Sequence, residues 1–522
     1  MIRSRRLIAA LAASCALFLA AACGGGGGAA RGAAAGEPTA GGSARILTLA
    51  EPRSLDPATL GNSGPITAVV GNALFGTLML DDPATGEITF SMAESFTTTN
   101  GGQTFELKLR PGLVFSDRTP LTAEDVKFNW EHTKDAATGS SSRYEASQIA
   151  SSEVVDDRTL KLTMVTPLAN FASMIVTTTL NWVGKPEAIQ AGQQAFDAAP
   201  IGAGPFTMRN WTRNGPMELV KNPRYWDSPR PYLDSLTLRA ATDATQRYNT
   251  VVSGGADVAV DTNWTNLAKA RTSGLVATDS PLSGGLYLAL NARRAPFDDV
   301  RARQAVSAAI DEQAINASVY SGKAEAADTL FQKTSPFYDA TPLRTFDKAK
   351  AQQLFDELAA EGKPVTFTIT SYPSSESRGI AESIQAQLSA FKNVQVQIKI
   401  VDISYSATLR TTYDFDMVPT SAFFVDPDPR LWTVLHSKSQ QNLSGITDPA
   451  LDTALQAGRA TTDVAQRKKA YATVQQRITE LAPVIFVERT ANGAISADGV
   501  GGVRLYGNGS LSVAELWKSN GS

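Results

Sequence analysis

Cysteine is nearly absent from this chain of 522 residues. The only two, Cys15 and Cys23, lie close to the N-terminus, so the rest of the chain has no disulfide and no thiol nucleophile. The fold must be stabilised by core burial alone, and a chain of this length can bury the cores of several domains. With 43% hydrophobic and 19% charged residues, the composition is that of an ordinary globular protein.

Histidine is equally scarce, with His132 and His436 as the only two. A Ser-His-Asp triad needs a histidine base and a zinc site usually takes several His or Cys ligands, so both are disfavoured. We interpret His132, inside a predicted helix, as a surface or edge residue, and His436, at a predicted helix end, as a cap.

Motifs for cofactors and catalysis are also lacking. No P-loop, GxSxG or DxDxDG motif occurs, and Thr207 stands where a dinucleotide fingerprint starting at Gly202 needs its third glycine. Carboxylates are plentiful, so a calcium site or a glycosidase pair stays open by count, but no spacing singles one out. We therefore expect no cofactor, no metal and no catalytic residue. The net charge is only −3 and no basic run occurs in the body, which argues against nucleic acid.

The N-terminus carries a targeting pattern. Arg3, Arg5 and Arg6 precede an apolar stretch over residues 7–22. As a helix this stretch would rise about 24 Å, less than the ~30 Å hydrocarbon core of a bilayer, so residues 1–22 are predicted to be a signal peptide. The small residues before Cys23 resemble a bacterial lipobox, although Ala20 stands where the usual box has Leu. This resemblance implies cleavage before Cys23 and its acylation.

Residues 23–45 are rich in Gly and Ala and are predicted to form a flexible tether. A disordered N-terminus without a role is the alternative. Beyond residue 45 the sequence alternates between strand-like and helix-like stretches, which indicates an α/β fold with sheets covered by helices. The clearest signals are strands at 104–110, 159–164 and 394–401, a capping box at Thr122 and Asp125, a helix start at Asp448-Pro449, and a helix over 464–482.

Four long blocks, in order, resemble the extracytoplasmic solute-binding proteins of family 5, which serve peptide-type ABC importers. The blocks are SLDPA at 54–58; MAESF at 92–96 with TFELKLRPGLVFSDRTPLTAEDVKFNWEHT at 104–133; PIGAGPFTMRNW at 200–211 with LVKNPRYWDSPRPYLDSLTLR at 219–239; and LYLALNARRAPFDDVRARQAVSAAID at 286–311. Weaker matches follow at 426–432 and 483–490.

The resemblance implies a two-lobed, type II periplasmic-binding-protein-like fold with an extra subdomain inserted in lobe one. Projected onto this sequence, lobe one comprises residues 46–80, 196–288 and 491–522, the inserted subdomain 81–195, and lobe two 289–490. A ligand would lie in the cleft between the lobes.

In peptide-binding members of the family, an aspartate just before a DP turn pairs with the N-terminal amine of the peptide. Here that position is Phe423 when aligned on Pro427, or Val425 when aligned on Pro429, and neither can pair with an ammonium. Asp426 lies one turn position away and could substitute, so peptides stay open as ligands.

Aromatic and loop residues supply the other candidate ligand contacts. Phe423, Phe424 and Trp432 make the segment around the DP turn aromatic and would suit apolar or planar solutes, with packing in the core of lobe two as the alternative role. Trp264 lies among Thr and Asn residues in a predicted loop. Ser63 and Gly64, with the adjoining Pro65, form a second candidate loop.

We therefore expect an extracytoplasmic lipoprotein that is anchored to the outer face of the cell membrane only through Cys23 and that is not an enzyme. It would capture a peptide or similarly sized solute and deliver it to ABC permease subunits with their ATPases, acting as a monomer. A secreted glycosidase-like hydrolase and a sensor lipoprotein without a permease are the alternatives.

Overall fold

The computed structural model describes residues 36–402 and 405–519. The predicted signal peptide, Cys23 and the tether up to residue 35 lie outside the described residues. None of the described helices has the length and apolarity that a bilayer crossing requires.

The strands of the described chain are β1 (Ser43–Thr48), β2 (Met79–Asp81), β3 (Ile88–Phe90), β4 (Ala93–Thr97), β5 (Thr104–Leu109), β6 (Ile149–Asp156), β7 (Thr159–Met164), β8 (Phe206–Trp211), β9 (Met217–Lys221), β10 (Ser235–Ala240), β11 (Val258–Asp261), β12 (Val276–Asp279), β13 (Ser283–Leu290), β14 (Val365–Ser371), β15 (Val394–Ile400), β16 (Met417–Phe424), β17 (Val484–Glu488), β18 (Gly493–Ser496), β19 (Val500–Gly501), β20 (Arg504–Tyr506), β21 (Ser510–Ser512) and β22 (Trp517–Lys518).

The α-helices are α1 (Pro57–Leu60), α2 (Ala68–Phe75), α3 (Ala123–Lys134), α4 (Arg143–Ser147), α5 (Phe171–Val176), α6 (Pro186–Gln190), α7 (Gln193–Ala198), α8 (Ala244–Val252), α9 (Trp264–Thr272), α10 (Val300–Ala309), α11 (Glu312–Tyr320), α12 (Lys348–Ala360), α13 (Ser375–Leu388), α14 (Tyr405–Thr412), α15 (Arg430–Leu435), α16 (Pro449–Arg459) and α17 (Val464–Leu481). Short 3-10 turns lie at Ala136–Thr138 and Thr179–Asn181.

A seven-stranded mixed sheet has the order β12-β18-β11-β1-β10-β9-β8. Strand β1 is central and pairs in parallel with both β10 and β11. It begins at Ser43, within the stretch predicted as tether, because Ala44 and Ile46 alternate into the core and are both almost fully buried. The last residues of that stretch therefore belong to the fold.

A five-stranded sheet has the order β15-β14-β16-β13-β17. The strand predicted at 394–401 is confirmed as β15, but it lies at the edge of the sheet. Only Val394 of its apolar face is buried, and Ile400 at the other end is 41% exposed. The alternation of apolar and polar residues thus predicts the strand correctly, but it does not predict how much of the apolar face other elements cover.

A four-stranded antiparallel sheet has the order β4-β5-β7-β6. Along the sequence, its strands follow β1 of the seven-stranded sheet and precede β8 of that sheet. The strands predicted at 104–110 and 159–164 are its two central members, β5 and β7. Helix α3 begins with the predicted capping box, in which the backbone N–H of Thr122 donates to Asp125 Oδ2 at 2.7 Å. Its buried Trp130 packs into the core of this unit.

Two short crossovers connect the seven-stranded and five-stranded sheets, at residues 280–282 and 489–492. They are hydrogen-bonded to each other, because Ser280 N–H donates to the Asn492 carbonyl at 2.9 Å. Buried Arg489 extends from the second crossover to the start of β13, just after the first crossover, and donates to the Gly284 carbonyl at 2.7 Å. The predicted α/β class is confirmed, with helices packed against each large sheet.

Candidate ligand-binding cleft

A cavity of about 500 Å³ lies where the two large sheets and the four-stranded unit meet. From the seven-stranded side it is lined by loop residues such as Leu49 and Thr262, and from the four-stranded unit by Ser142, Glu145 and neighbours. The segment 423–430 after β16 forms the opposite wall. A volume of this size falls within the range of roughly 300–1,000 Å³ that is typical of small-molecule sites.

Ser63 and Gly64 both line this cavity, in the loop between α1 and α2. Asn62 holds the loop against the four-stranded unit by donating to the Val176 and Thr178 carbonyls at 3.2 and 3.1 Å. Gly64 approaches the main chain of Asn508 so closely that a Cβ would come within 2.2 Å of its carbonyl oxygen. Glycine is therefore required there by space.

Phe423 and Phe424 end strand β16 and also line the cavity. Because successive side chains on a strand point to opposite faces, the two rings have different surroundings. Phe424 is buried and packs edge-on against Phe331 in the core, with ring centroids 5.9 Å apart. Phe423 is half-buried, so it is the more accessible ring of the pair.

Asp426 lines the cavity but is paired within the protein. Arg467 of α17 donates to both of its carboxylate oxygens, each at 2.7 Å, in a bidentate ion pair. Since this guanidinium already satisfies Asp426, its carboxylate is not available as a simple substitute for the family's amine-binding aspartate.

Trp264 and Trp432 are not among the residues that line the cavity. Trp264 is the first residue of helix α9, capped by Asn263, rather than part of a loop. Its indole is 8% exposed, and Nε1 donates to the Arg489 carbonyl in the second crossover at 2.9 Å. Trp432 is partly buried beside the core around β16.

Trp432 instead connects the two sides of the cleft. Its ring stacks on Tyr144 of the four-stranded unit, with centroids 6.0 Å apart, and on His436, with centroids 4.5 Å apart. The guanidinium of Arg459 lies 4.8 Å from the centre of the same indole. Both tryptophans were candidate ligand contacts on the basis of the sequence. In the structure each contacts other residues of the protein and holds its segments together.

The two histidines also lie away from the cavity lining. His132 is half-buried, and its Nε2 lies 2.8 Å from Oδ2 of Asp56, the residue that caps α1. The hydrogen bond to Asp56 raises the pKa of His132. His436 is the C-cap residue of α15, as expected. Within the described ranges, no group of three or more His, Cys, Asp or Glu side chains is arranged to hold a metal ion.

Three further carboxylates line the cavity and were missed from the sequence: Asp81, Glu145 and Asp428. Burial raises the pKa of Glu145, and it raises those of Asp81 and Asp428 to about 6. No periodicity or motif distinguishes these acids from the other carboxylates of the chain. Only the adjacency of Asp428 to the DP turn offered a signal.

A second cavity, of about 260 Å³, adjoins the first. The two share Ser173, Val425 and Asp426 in their linings, so they form successive parts of one cleft. The second part lies between the loop at 83–88 and the segment 334–337.

Two α/β sheets joined by short crossovers, with a cleft between them, define a two-lobed solute-binding protein. A sequence profile of the bacterial extracellular solute-binding proteins, family 5, matches residues 87–442. The chain belongs to this family, as the resemblance of its sequence blocks predicted. Membership places the protein outside the cytoplasm, and its relatives are solute-binding proteins rather than enzymes, so the chain is not an enzyme.

Individual relatives are similar along most of the chain. The glutathione-binding protein GsiB of Pectobacterium atrosepticum is 27% identical over 413 residues, which cover 76% of this chain and 79% of that relative. The dipeptide-binding protein of Pseudoalteromonas sp. SM9913, solved with Met-Leu, has a TM-score of 0.77 at 23% identity, covering 92% of this chain and 100% of that one. AgaA of A. tumefaciens R10, solved with agropinic acid, also has a TM-score of 0.77 at 23% identity, covering 92% of this chain and 99% of that one. The predicted two-lobed periplasmic-binding-protein fold is confirmed.

Proposed function

We propose that this protein is the substrate-binding component of an ABC importer, which captures a small solute in the cleft between its lobes and delivers it to the permease. The observation that carries the proposal is the cavity of about 500 Å³ lined from both lobes and from the four-stranded unit. A solute there would contact all three parts at once, as capture by enclosure requires.

Contacts around the cleft support a closing mechanism. Ala169 N–H donates to the Arg459 carbonyl at 3.1 Å, and Asn170 donates to the Thr461 carbonyl at 3.2 Å, both linking the four-stranded unit to the five-stranded side. The stack of Tyr144 on Trp432 is a third contact between the same two sides. A ligand that binds both sides can shift the balance between open and closed forms. Moving an open-to-closed ratio from 99:1 to 1:99 requires about 5.5 kcal/mol of differential affinity.

A peptide or similarly sized solute fits the cleft best. The two adjoining cavities, of about 500 and 260 Å³, would accommodate an extended ligand. Two relatives of the same family or fold are named for glutathione and for dipeptides, and a third was solved with agropinic acid. The hydroxyls that line the first cavity, such as those of Ser142, Ser173 and Thr178, suit hydrogen bonds to a polar ligand.

The mature protein would be a monomeric lipoprotein held at the outer face of the membrane through Cys23. In this proposal residues 46–80, 196–288 and 491–522 are lobe one, residues 81–195 its inserted subdomain and residues 289–490 lobe two. The four-stranded sheet falls inside the proposed insertion. The five-stranded sheet is built from segments of lobe two and from β13 (Ser283–Leu290), which crosses the proposed boundary at residue 289. Intact mass measurement of the membrane-extracted protein, against a Cys23→Ser variant, tests the anchor.

Native mass spectrometry of the purified protein tests capture. We expect a complex with one solute per chain, whose solute is released by denaturation with its mass unchanged after long incubation. A protein that retains no solute, or that converts it, contradicts the proposal. Uptake of the recovered solute by cells with and without the gene for this protein then distinguishes an importer from a sensor.

A further inference from the structure

The charges around the first cavity are unbalanced. Its lining holds four carboxylates, and the one cationic side chain among the lining residues is Arg430. Asp426 is neutralised by the bidentate pair with Arg467, and Asp428 has an ion pair with Arg459, whose Nε lies 3.1 Å from Oδ1. These two pairs leave Asp81 and Glu145 to be accounted for.

Asp81 is the less accessible of the two. Its side chain is 2% exposed, and Oδ1 accepts a short hydrogen bond from the backbone N–H of Gly507. Glu145, on the short helix α4, forms no ion pair within 4.0 Å among the described residues. Its Oε2 is buried and has no hydrogen-bond partner in the described part of the chain. Burying a carboxylate oxygen without a partner is costly, so something else must supply a donor.

The remaining unpaired atoms of the lining have the same polarity. Among the described residues, the buried side-chain atoms that line this cavity and lack a well-aligned hydrogen bond are Glu145 Oε2, Asn508 Oδ1 and the two carboxylate oxygens of Asp428, whose Oδ1 contacts Arg459 only as an ion pair. The Asn508 amide can present either its oxygen or its nitrogen, so the carboxylates decide the chemistry. They are acceptors when ionised, and the ligand must therefore bring N–H or O–H donors.

We infer that the cleft recognises a solute bearing a protonated amine, and that Glu145 accepts a hydrogen bond from that ammonium group with Asp428 as its neighbour. This inference rests on the proposed solute-binding function. It assigns the amine to the inserted four-stranded unit, whereas the family's peptide binders use an aspartate at the position that is Phe423 or Val425 here.

An ammonium satisfies these groups better than a neutral hydroxyl. It has three N–H donors and a positive charge, which the protein itself does not place beside Glu145 in an ion pair. Charge-assisted hydrogen bonds are roughly twice as strong as neutral ones. The raised pKa of Glu145 agrees, since burial without a close cation disfavours its ionised form and a bound cation would restore it. Arg430 lies near enough to lower this pKa but forms no ion pair with Glu145, and its Nη2 is engaged by the Ser421 carbonyl at 2.6 Å.

The test compares amine-bearing solutes with their acetylated counterparts. The probes are glutathione, Met-Leu, their N-acetyl forms, and the solute recovered from the purified protein by native mass spectrometry. Titration calorimetry measures their affinities for the wild type, for Glu145→Gln, and for Glu131→Gln, which removes one exposed carboxylate of the same four-stranded unit. Thermal unfolding of each variant verifies that it is folded.

We expect every solute that binds the wild type to carry an amine, and acetylation to weaken its binding at least tenfold. Glu145→Gln should weaken binding of the amine form by at least tenfold and abolish the difference between the two forms, while Glu131→Gln leaves it unchanged. A retained solute without an amine, equal binding of the two forms, or discrimination that survives in Glu145→Gln overturns the inference while capture stands. If the protein retains no solute and binds none of the probes, capture itself fails.

Discussion

Asp81 shows how a single residue near the cleft affects stability. Its carboxyl is almost fully buried. Burial and, to a smaller extent, the charge of Asp82 raise its pKa to about 6, against the opposing effects of the Gly507 N–H and Arg504. A raised carboxyl pKa means that the folded state binds the proton more tightly than the unfolded chain. The contribution of this group to the unfolding free energy therefore falls as pH rises from about 4 to about 6.

We predict that Asp81→Asn makes the protein more stable than the wild type above pH 6, by up to about 3 kcal/mol. The advantage should shrink towards pH 4, where the wild-type carboxyl is protonated in the folded state and close to its ordinary pKa of 3.8 in the unfolded chain. Urea unfolding of the two proteins at pH 4, 5, 6 and 7 measures it. A stability difference that is the same at every pH would show that burial does not disfavour this charge.

Trp264 lies near the crossovers, and a substitution there can distinguish contact with the ligand from stabilisation of the fold. Its Nε1 donates to the buried Arg489 carbonyl, and the residue is not part of the cavity lining. Trp264→Phe keeps a ring but removes the donor, so we predict a loss of about 1–3 kcal/mol in unfolding free energy with the affinity of the recovered solute unchanged within twofold. Denaturant unfolding and calorimetry measure the two effects. Unchanged stability with a large loss of affinity would place the ligand against Trp264 after all.

At the same scale, the sequence predicts some site residues and not others for a physical reason. Ser63, Gly64, Phe423, Phe424 and Asp426 lie at the cavity, and each stood beside a recognisable motif or turn. Glu145 lies in a polar helix without a motif, and only the fold brings it to the cleft. The ion-pair partner of a residue is equally hard to predict from the sequence, since nothing near Asp426 indicates that Arg467, 41 residues later, pairs with its carboxylate.

Among the elements, helix α17 and the turn after β16 are connected by the Asp426–Arg467 pair. The Arg467 side chain is 5% exposed, and it also donates to the Gly458 carbonyl at the end of α16. Removing one partner of a buried pair leaves the other charge uncompensated.

We predict that Asp426→Asn lowers the unfolding free energy by about 3 kcal/mol, the lower end of the range for such a loss, because Asn keeps one acceptor. Glu361→Gln, which breaks the exposed pair with Arg301, is the control and should cost much less, because solvent screens a surface pair. Urea midpoints of the two variants measure the contrast. Equal losses would mean that the Asp426–Arg467 pair contributes no more than a surface pair.

Elements with a clear periodicity of apolar residues or a recognisable capping residue were predicted correctly. Elements whose conformation depends on contacts with other parts of the fold were not. Helix α17 begins and ends within one residue of the predicted 464–482, since Asp463 caps it and Pro483 follows it closely. Trp264 was expected in a loop because its surroundings are polar, yet Asn263 accepts from the Asn266 N–H and starts a helix there. The Thr and Asn residues that suggested a loop are the same residues that cap helices.

For the whole molecule, the family blocks predict the two-lobed fold because most of their residues pack cores and form turns. The same property makes them uninformative about the ligand. The cleft is formed by segments from distant parts of the chain, including 62–66, 141–145, 423–430 and 490–492, and these come together only in the folded structure.

Enclosure of the solute between the lobes is the central claim, and the scarcity of cysteine makes it directly measurable. No cysteine follows Cys23, so with Cys15 and Cys23 replaced by Ser, spin labels can be placed at Glu131→Cys in α3 and Lys468→Cys in α17, both exposed and on opposite sides of the cleft. Pulsed electron–electron double resonance then measures the distance between the labels in three samples. These are the protein as purified, the same protein stripped of solute by unfolding in guanidinium and refolding, and the stripped protein after the released material is added back. We predict a short, narrow distance distribution with solute, a longer and broader one after stripping, and return of the first on addition. An identical distribution in all three samples, with the solute demonstrably bound, would contradict the account.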